Sequence, residues 1–346
     1  MSPYISPLFS VAMIVSVLLI MTSSHWVFIW LGLELGTLAF VPILAWWHSS
    51  LEVEATVKYF IIQAMAAALF FFGGLVSTSV EFLSGLNSLI GNLGELLILL
   101  SVMMKLGLAP FHYWVIDVIQ GLNYLPGMVL LTWQKVPGLA VLSQLVAANN
   151  SFFLLVFGAM SAFLGGLGGL GQTQLRKLLA FSSIAHLGWL VTGCAVGTLL
   201  GILYFMLYVL LSVPMFLFLY MLNSTHLNQL RMGLMLSPVA AALIAVGFLS
   251  LAGLPPFLGF FGKWLLLSYL VESHLLIVSV VLVAGALVSL FYYLRISYLC
   301  IVVLGPQQVL VGLTWRKGFM VNLMSGLVVL NLIGLLVVGG MSCFPK

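Results

Sequence analysis

Ionised side chains are scarce in this sequence: of 346 residues only 5% are Asp, Glu, Lys or Arg, against 63% that are hydrophobic. Soluble domains carry about 25% charged and about 45–50% apolar residues, so a water-soluble fold is excluded. The mean hydropathy of +1.27 points instead to lipid as the solvent. The eleven basic and seven acidic residues leave a net charge of +4, and no Lys/Arg cluster offers a footprint for nucleic acid. Cysteine is nearly missing as well. Cys194, Cys300 and Cys343 stand far apart, with no CxxC pair, zinc spacing or disulfide framework, and read as apolar packing residues. The first basic residue is Lys58. The N-terminal stretch therefore has neither the charged start of a signal peptide nor the Arg-rich face of a transit peptide, and no cleavage is expected. No polar stretch is long enough to separate two soluble cores, so the chain reads as one membrane bundle.

What is present is a series of apolar runs of about 20 residues, the length that crosses a bilayer as a helix. They fall at 3 to 22, 25 to 46, 56 to 76, 94 to 119, 124 to 146, 151 to 171, 176 to 194, 198 to 222, 238 to 270, 274 to 304 and 319 to 341. The expected fold is an all-α polytopic membrane protein of about eleven transmembrane helices. The positive-inside rule orients it. With the N-terminus inside, Lys58, Arg176, Lys177, Arg231, Arg295, Arg316 and Lys317 all fall at inside ends, leaving Lys346 outside.

The fourth and ninth spans carry internal breaks, "GLAPF" at 107 to 111 and "AGLPPFLGFFGK" at 252 to 263. Proline removes a backbone donor and clashes with the preceding turn, so each helix opens there and exposes groups that lipid cannot satisfy. Breaks recurring five spans apart predict two five-helix units, repeat 1 at about 1–147 and repeat 2 at about 148–305, with a final helix at 319–341. An odd repeat length makes the second unit inverted relative to the first, an architecture of transporters. Lys105 precedes its break whereas Lys263 follows its own, a difference that inversion does not explain.

Four ionisable residues sit near the middle of spans: Glu34, Lys105, Lys135 and Lys263. Each costs about 2.5–3.5 kcal/mol there on insertion scales, so such groups face partners or water-filled cavities. The plain alternative is snorkelling or one fixed ion pair. Snorkelling reaches about one helical turn, and three lysines share one obvious anion, so two need water or must give up their charge. Burial favours a neutral amine and a nearby carboxylate favours the ammonium, so a charge moving nearby makes a lysine take up or release a proton. A row of such groups joined by water forms a proton relay. His112 and His186 are further relay candidates, although a buried histidine bonded to a carbonyl is the commoner case. Ser182, Ser183, Thr132 and Gln134 are candidates to orient water, while Tyr113, Trp114 and Asp117 read as interfacial. The GxxxG spacing at Gly32 and Gly36, and Gly165 with Gly169, reads as close helix packing. No metal cluster, nucleophile triad or phosphate loop is visible, so no cofactor is expected in this chain.

With "MKLGLAPFHYW" (104 to 114) and "LAGLPPFLGFFGKW" (251 to 264) around the breaks, and with "EVEATVKYF" (52 to 60) and "SSIAHLGW" (182 to 189), the chain resembles, over essentially its whole length, the antiporter-like membrane subunits of mitochondrial NADH:ubiquinone oxidoreductase (respiratory complex I) and their Mrp-type antiporter relatives. The resemblance implies a single antiporter-like transmembrane domain over 1–346, N-terminus on the matrix side of the mitochondrial inner membrane, that pumps protons with energy from quinone reduction elsewhere in the complex. It implies Glu34 and Lys105 as a switch, Lys135 as the central relay, Lys263 as the distal lysine, and His112 and His186 on a hydrated polar axis. NADH, FMN, Fe-S clusters and ubiquinone would belong to other subunits. The partners would be other membrane-arm subunits, flanking antiporter-like subunits and phospholipids such as cardiolipin. Compared with bacterial relatives, three N-terminal spans are missing, as in animal versions. Two other readings compete: a stand-alone cation/proton antiporter, which would exchange ions by itself in liposomes, and a helical scaffold, in which neutralising the lysines would harm assembly or do nothing.

Overall fold

The computed structural model describes residues 5–82, 87–146, 151–234 and 238–302. Among these residues there are α-helices and turns but no β-strand; a single isolated antiparallel bridge joins Gln174 and His226. The chain divides into two compact units, residues 1–157 and 158–346.

In the first unit α1 (Ile5–Thr22) packs on α2 (Trp26–Leu44). Gly32 makes this contact close, since a Cβ there would come within 2.6 Å of Ile20 Cγ1. Next comes α3 (Ser50–Phe82), which starts six residues before the expected span. The cause is a cap: the Ser49 hydroxyl accepts from the Glu52 amide at 3.3 Å, the spacing of a capping box. Glu52 itself is buried, accepting from the Trp47 amide at 3.1 Å and from Asn123 Nδ2 at 2.6 Å. The unit continues through α4 (Asn87–Leu106), α5 (Tyr113–Gly121), α6 (Tyr124–Leu131) and α7 (Lys135–Val146). α3 packs on both α4 and α5, and α7 packs on α1, α2 and α4.

The second unit holds most of α8 (Ser151–Gly169), then α9 (Leu175–Val196), α10 (Thr198–Leu222), α11 (Leu227–Leu234), α12 (Pro238–Ala252), α13 (Leu258–Glu272) and α14 (Leu276–Val302). α9 is buried along nearly its whole length and packs on α10, α13 and α14. Gly165 lets α8 approach it, a Cβ there falling 2.5 Å from the Ala185 nitrogen.

Among the described residues, seven helical segments are long and apolar enough to cross a membrane. α1 and the pairs α4/α5 and α12/α13 occupy three further expected positions. The expected span at 319 to 341, with Arg316, Lys317, Cys343 and Lys346, lies outside the described residues.

The two proline breaks share one construction. α4 ends where Gly107 takes φ +75°. The Leu108 amide then donates to Met103 O at 3.1 Å and the Gly107 amide to Met104 O at 3.2 Å. α12 ends likewise: Gly253 has φ +78°, Leu254 donates to Leu249 O at 3.4 Å and Gly253 to Ser250 O at 3.0 Å. Both are Schellman motifs, in which a left-handed glycine turns the last amides back onto carbonyls the helix would leave bare. "GLAPF" and "GLPPF" thus encode the same stop.

A third interruption departs from the sequence expectation that only the fourth and ninth spans are broken. The fifth span is two helices, α6 and α7, separated by a turn at Thr132, Trp133 and Gln134. Pro137 explains it: proline has no N–H for the Trp133 carbonyl, and its ring crowds that carbonyl. The chain loosens instead, with Gln134 N donating to Val129 O at 3.1 Å and Lys135 N to Thr132 O at 3.3 Å. Lys135 therefore begins a helix rather than sitting inside one.

Candidate functional site

Each break leaves helix-terminal carbonyls inside the bundle, and the site is built from what covers them. In the first unit the end of α4 is covered from two sides. Trp114 Nε1 donates to Met104 O at 3.1 Å, and Gln63 Nε2, from α3, donates to Lys105 O at 3.4 Å. Trp114 is thus a buried cap rather than the interfacial residue expected, because α5 folds back and directs the indole to the stop of α4; its neighbour Tyr113 remains 70% exposed. These caps leave the Lys105 side chain unused. Its amine is cut off from the surface and has no hydrogen-bond partner among the described residues.

Lys105 is among the residues that line a cavity of about 30 Å³. Thr37, Tyr59, Gln63, Lys105, Gln134 and Lys135 supply its polar lining, with Leu33, Leu106, Leu130 and Leu131 among its apolar walls. A cavity needs roughly 10–15 Å³ to hold one water, and this one exceeds that. Lys135 is 4% exposed. Two lysines from different helices therefore line one small cavity.

Glu34 does not line the chamber. Its carboxylate accepts from the Thr37 hydroxyl at 3.2 Å, and Thr37 is the wall residue. Among the described residues Glu34 and Lys105 form no direct salt bridge, yet the carboxylate is close enough to act on the ammonium through space. His112 also stays off the chamber. It is buried at the start of α5, its ring 4.3 Å from that of Tyr113, and its Nδ1 has no hydrogen-bond partner among the described residues. Gln134 donates to Gly36 O at 3.4 Å, tying the turn before Lys135 to α2. Thr132 turns its hydroxyl to Met128 O within its own helix.

The second unit solves the same problem differently. The amine of Lys263, on α13, reaches back across the break and donates to Ala252 O at 2.8 Å, capping α12. This is why Lys263 follows its break while Lys105 precedes its own: one lysine is the cap, and the other is left free by Trp114 and Gln63. Lys263 Nζ lies 5.9 Å from the Trp189 ring centroid, within cation–π range. Trp189 stacks on Tyr204 at 6.4 Å, and His186 Nδ1 shares a 2.9 Å hydrogen bond with Tyr204 Oη. Lys263 and His186, expected as site residues, are thus joined through two aromatic rings. Sequence reasoning passed over Gln63, Tyr59 and Tyr204. A glutamine in the apolar run of α3 and tyrosines in the middle of α10 were the signals available.

Among the described residues no group of His, Cys, Asp and Glu could hold a metal ion. Comparison with known proteins places these features in context. Residues 23–289 match the family described as NADH:quinone oxidoreductase/Mrp antiporter, TM. NADH-ubiquinone oxidoreductase chain 2 of Branchiostoma lanceolatum is 71% identical over 346 residues, 100% of both chains. A chain of Thermus thermophilus respiratory complex I superposes with a TM-score of 0.84 at 26% identity, covering 97% of this chain and 79% of that one. A chain of the Mrp complex from a Dietzia species shares the fold, with a TM-score of 0.75 at 15% identity over 96% of this chain and 74% of that one.

Proposed function

The chain belongs to the NADH:quinone oxidoreductase/Mrp antiporter transmembrane family, and from that premise we propose that its buried lysines relay protons through confined water. It is a proton-translocating, multi-pass subunit of the membrane arm of NADH:ubiquinone oxidoreductase, working in the inner mitochondrial membrane; its likeness to NADH-ubiquinone oxidoreductase chain 2 supports this reading. The redox chemistry takes place in other subunits, and the free energy reaches this chain as a change of charge.

The observation that carries the mechanism is the chamber shared by Lys105 and Lys135. A charge displacement that draws the Glu34 carboxylate away from Lys105 removes the anion favouring its ammonium. Lys105 then yields its proton to chamber water held by Gln63 and Gln134, and Lys135 accepts it. Proton count and total charge are conserved, and repulsion between two ammoniums in one small chamber keeps both from being charged together. Lys263 and His186 form a second relay centre in the other unit. His112 stands beside the first break as an exchange group on the path to the surface. The arrangement extends to eleven spans in two inverted five-helix repeats, 1–147 and 148–305, with the last span at 319–341. The N-terminus faces the matrix, and flanking antiporter-like subunits and cardiolipin cover the lipid-facing helices.

Lys135→Met in the assembled complex tests the relay. Protons translocated per NADH oxidised are expected to fall at least twofold while the complex still assembles; unchanged translocation in the assembled variant overturns the role. The stand-alone antiporter reading has no support from the site, because among the described residues no acidic cluster offers a cation a seat.

A further inference from the structure

The relay reading leaves one buried acid of the first unit without a role. Glu52 lies in the first turn of α3 and is 1% exposed. A glutamate three residues after a serine cap ordinarily reaches back to the amide of that serine. Here the Ser49 hydroxyl does cap the Glu52 amide, but the carboxylate goes further. Its Oε2 accepts from the Trp47 amide at 3.1 Å, in the turn between α2 and α3, and its Oε1 accepts from Asn123 Nδ2 at 2.6 Å, 71 positions along the chain. Asn123 is likewise diverted. It holds the N-cap position of α6 but makes no capping bond with its side chain, and Pro126, at the third helical position, has no N–H for it to cap. Close by, Gly121 at the end of α5 is pressed on the start of α3, where a Cβ would stand 2.7 Å from Leu51 O.

One side chain therefore ties together the α2–α3 turn, the first turn of α3 and the α5–α6 turn. The helices that meet there also wall the cavity: Thr37 stands on α2, Tyr59 and Gln63 on α3, Trp114 on α5 and Leu130 on α6. Tyr59 is two turns from Glu52, roughly 10 Å along α3. The bonds that cross the bundle nearer the cavity are long, Gln63 to Lys105 O and Gln134 to Gly36 O both at 3.4 Å, beyond the roughly 2.7–3.2 Å of a good N–H···O bond. Hydrogen bonds to a carboxylate are roughly twice as strong as neutral ones, so the spacing of these walls is held chiefly from the Glu52 end.

We propose that Glu52 is a positioning residue for the relay, clamping α2, α3 and α6 at one end so that the cavity lined by Lys105 and Lys135 keeps its width. The proposal rests on the relay reading. Proton exchange needs heavy atoms about 2.6–3.2 Å apart, or one water between them, so walls that drift by a fraction of that distance disconnect lysines whose own side chains are intact. The role asks of Glu52 only that it accept from Trp47 and meet Asn123, not that it pass a proton.

Four variants, made in the assembled complex beside Lys135→Met, test it. Glu52→Ala deletes the clamp. Asn123→Asp turns its short bond into a contact between two carboxylates. Glu52→Gln keeps it, because the amide oxygen still accepts from Trp47 and Asn123 can turn its own oxygen to the amide nitrogen; Glu52→Gln with Asn123→Asp again pairs a donor with an acceptor. Protons translocated per NADH oxidised, measured on equal amounts of assembled complex, are expected to fall at least twofold in Glu52→Ala and Asn123→Asp and to stay at the wild-type level in Glu52→Gln and in the double variant. A clamp that only aids folding lowers the quantity of complex and leaves the ratio unchanged, and that result overturns the proposal. So does a ratio lost in Glu52→Gln, which would make the carboxylate itself a proton carrier. Impaired Lys135→Met beside a wild-type ratio in Glu52→Ala strikes the clamp alone, whereas full translocation in Lys135→Met strikes the relay reading. Should Glu52→Ala fail to assemble, Asn123→Asp against the double variant decides: recovery of the ratio in the double variant supports the clamp, and no recovery overturns it.

Discussion

Lys105 and Lys263 are both amines inside an apolar bundle, and the difference in how they are held has consequences for their removal. Lys263 satisfies the Ala252 carbonyl at the end of α12, so Lys263→Met leaves a buried acceptor bare and costs about 1–3 kcal/mol. Lys105 donates no hydrogen bond among the described residues, and its own carbonyl is covered by Gln63. Lys105→Met therefore removes an amine whose burial was unfavourable and leaves nothing unpaired. Both variants are expected to lose proton translocation, but Lys263→Met alone should also deplete assembled complex on native gels and lower its thermal inactivation midpoint. Equal depletion in both would contradict the capping role. Sequence identifies the two lysines by charge in a hydrophobic run. Which one serves as a cap depends on Trp114 and Gln63, residues 10 and 42 positions away from the carbonyls they cover, and no local pattern encodes that.

At the scale of the helix, the breaks are where sequence and structure agree best, and also where they part. The prolines of "GLAPF" and "GLPPF" mark a stop by chemistry that is local and therefore readable. The geometry of the stop belongs to Gly107 and Gly253, whose left-handed φ values close the Schellman turns. An L side chain there costs about 1–2 kcal/mol before any contact is counted. At Gly253 a Cβ would stand 3.0 Å from Lys263 Nζ, which a flexible amine can relieve by moving; at Gly107 it runs into Val115 Cγ2 on the adjoining helix. Gly107→Ala should therefore reduce assembly more than Gly253→Ala, while Gly253→Ala should disturb pumping out of proportion to its stability cost if the displaced Lys263 amine is the relay group proposed above. Assembly measured beside protons per NADH separates the two effects. The break before Lys135 was less legible for a physical reason. Pro137 opens its span, whereas Pro42 and Pro214 lie inside continuous helices, so a proline alone does not determine whether the helix yields. The early start of α3 was hidden similarly, since Glu52 and Glu54 resemble a loop until the Ser49 cap and the Asn123 contact account for them.

For the molecule as a whole, hydropathy locates helices but leaves open which side of the membrane their ends face, and that choice fixes the direction in which any relay delivers protons. The chain offers an internal gauge. Lys58 stands early in α3, paired on the surface with Glu54 at 2.6 Å and with a side chain 48% exposed, while Lys177 stands in the first turn of α9. Four spans, α3, α4/α5, α6/α7 and α8, lie between the start of α3 and the start of α9 in the expected order if each broken pair counts as one crossing, an even number that returns the α9 start to the side where α3 begins. Positive residues collect on the side from which a membrane protein is inserted, so both lysines are expected on the matrix face. A membrane-impermeant amine reagent should modify Lys58 and Lys177 in inside-out submitochondrial particles and spare them in mitoplasts, as read by peptide mass mapping. Modification of both from the mitoplast side would invert the molecule. Modification of one from each side would mean that a broken pair does not complete its crossing, and the inverted five-helix repeat would fall with it, because that repeat depends on counting α4/α5 and α12/α13 as single spans.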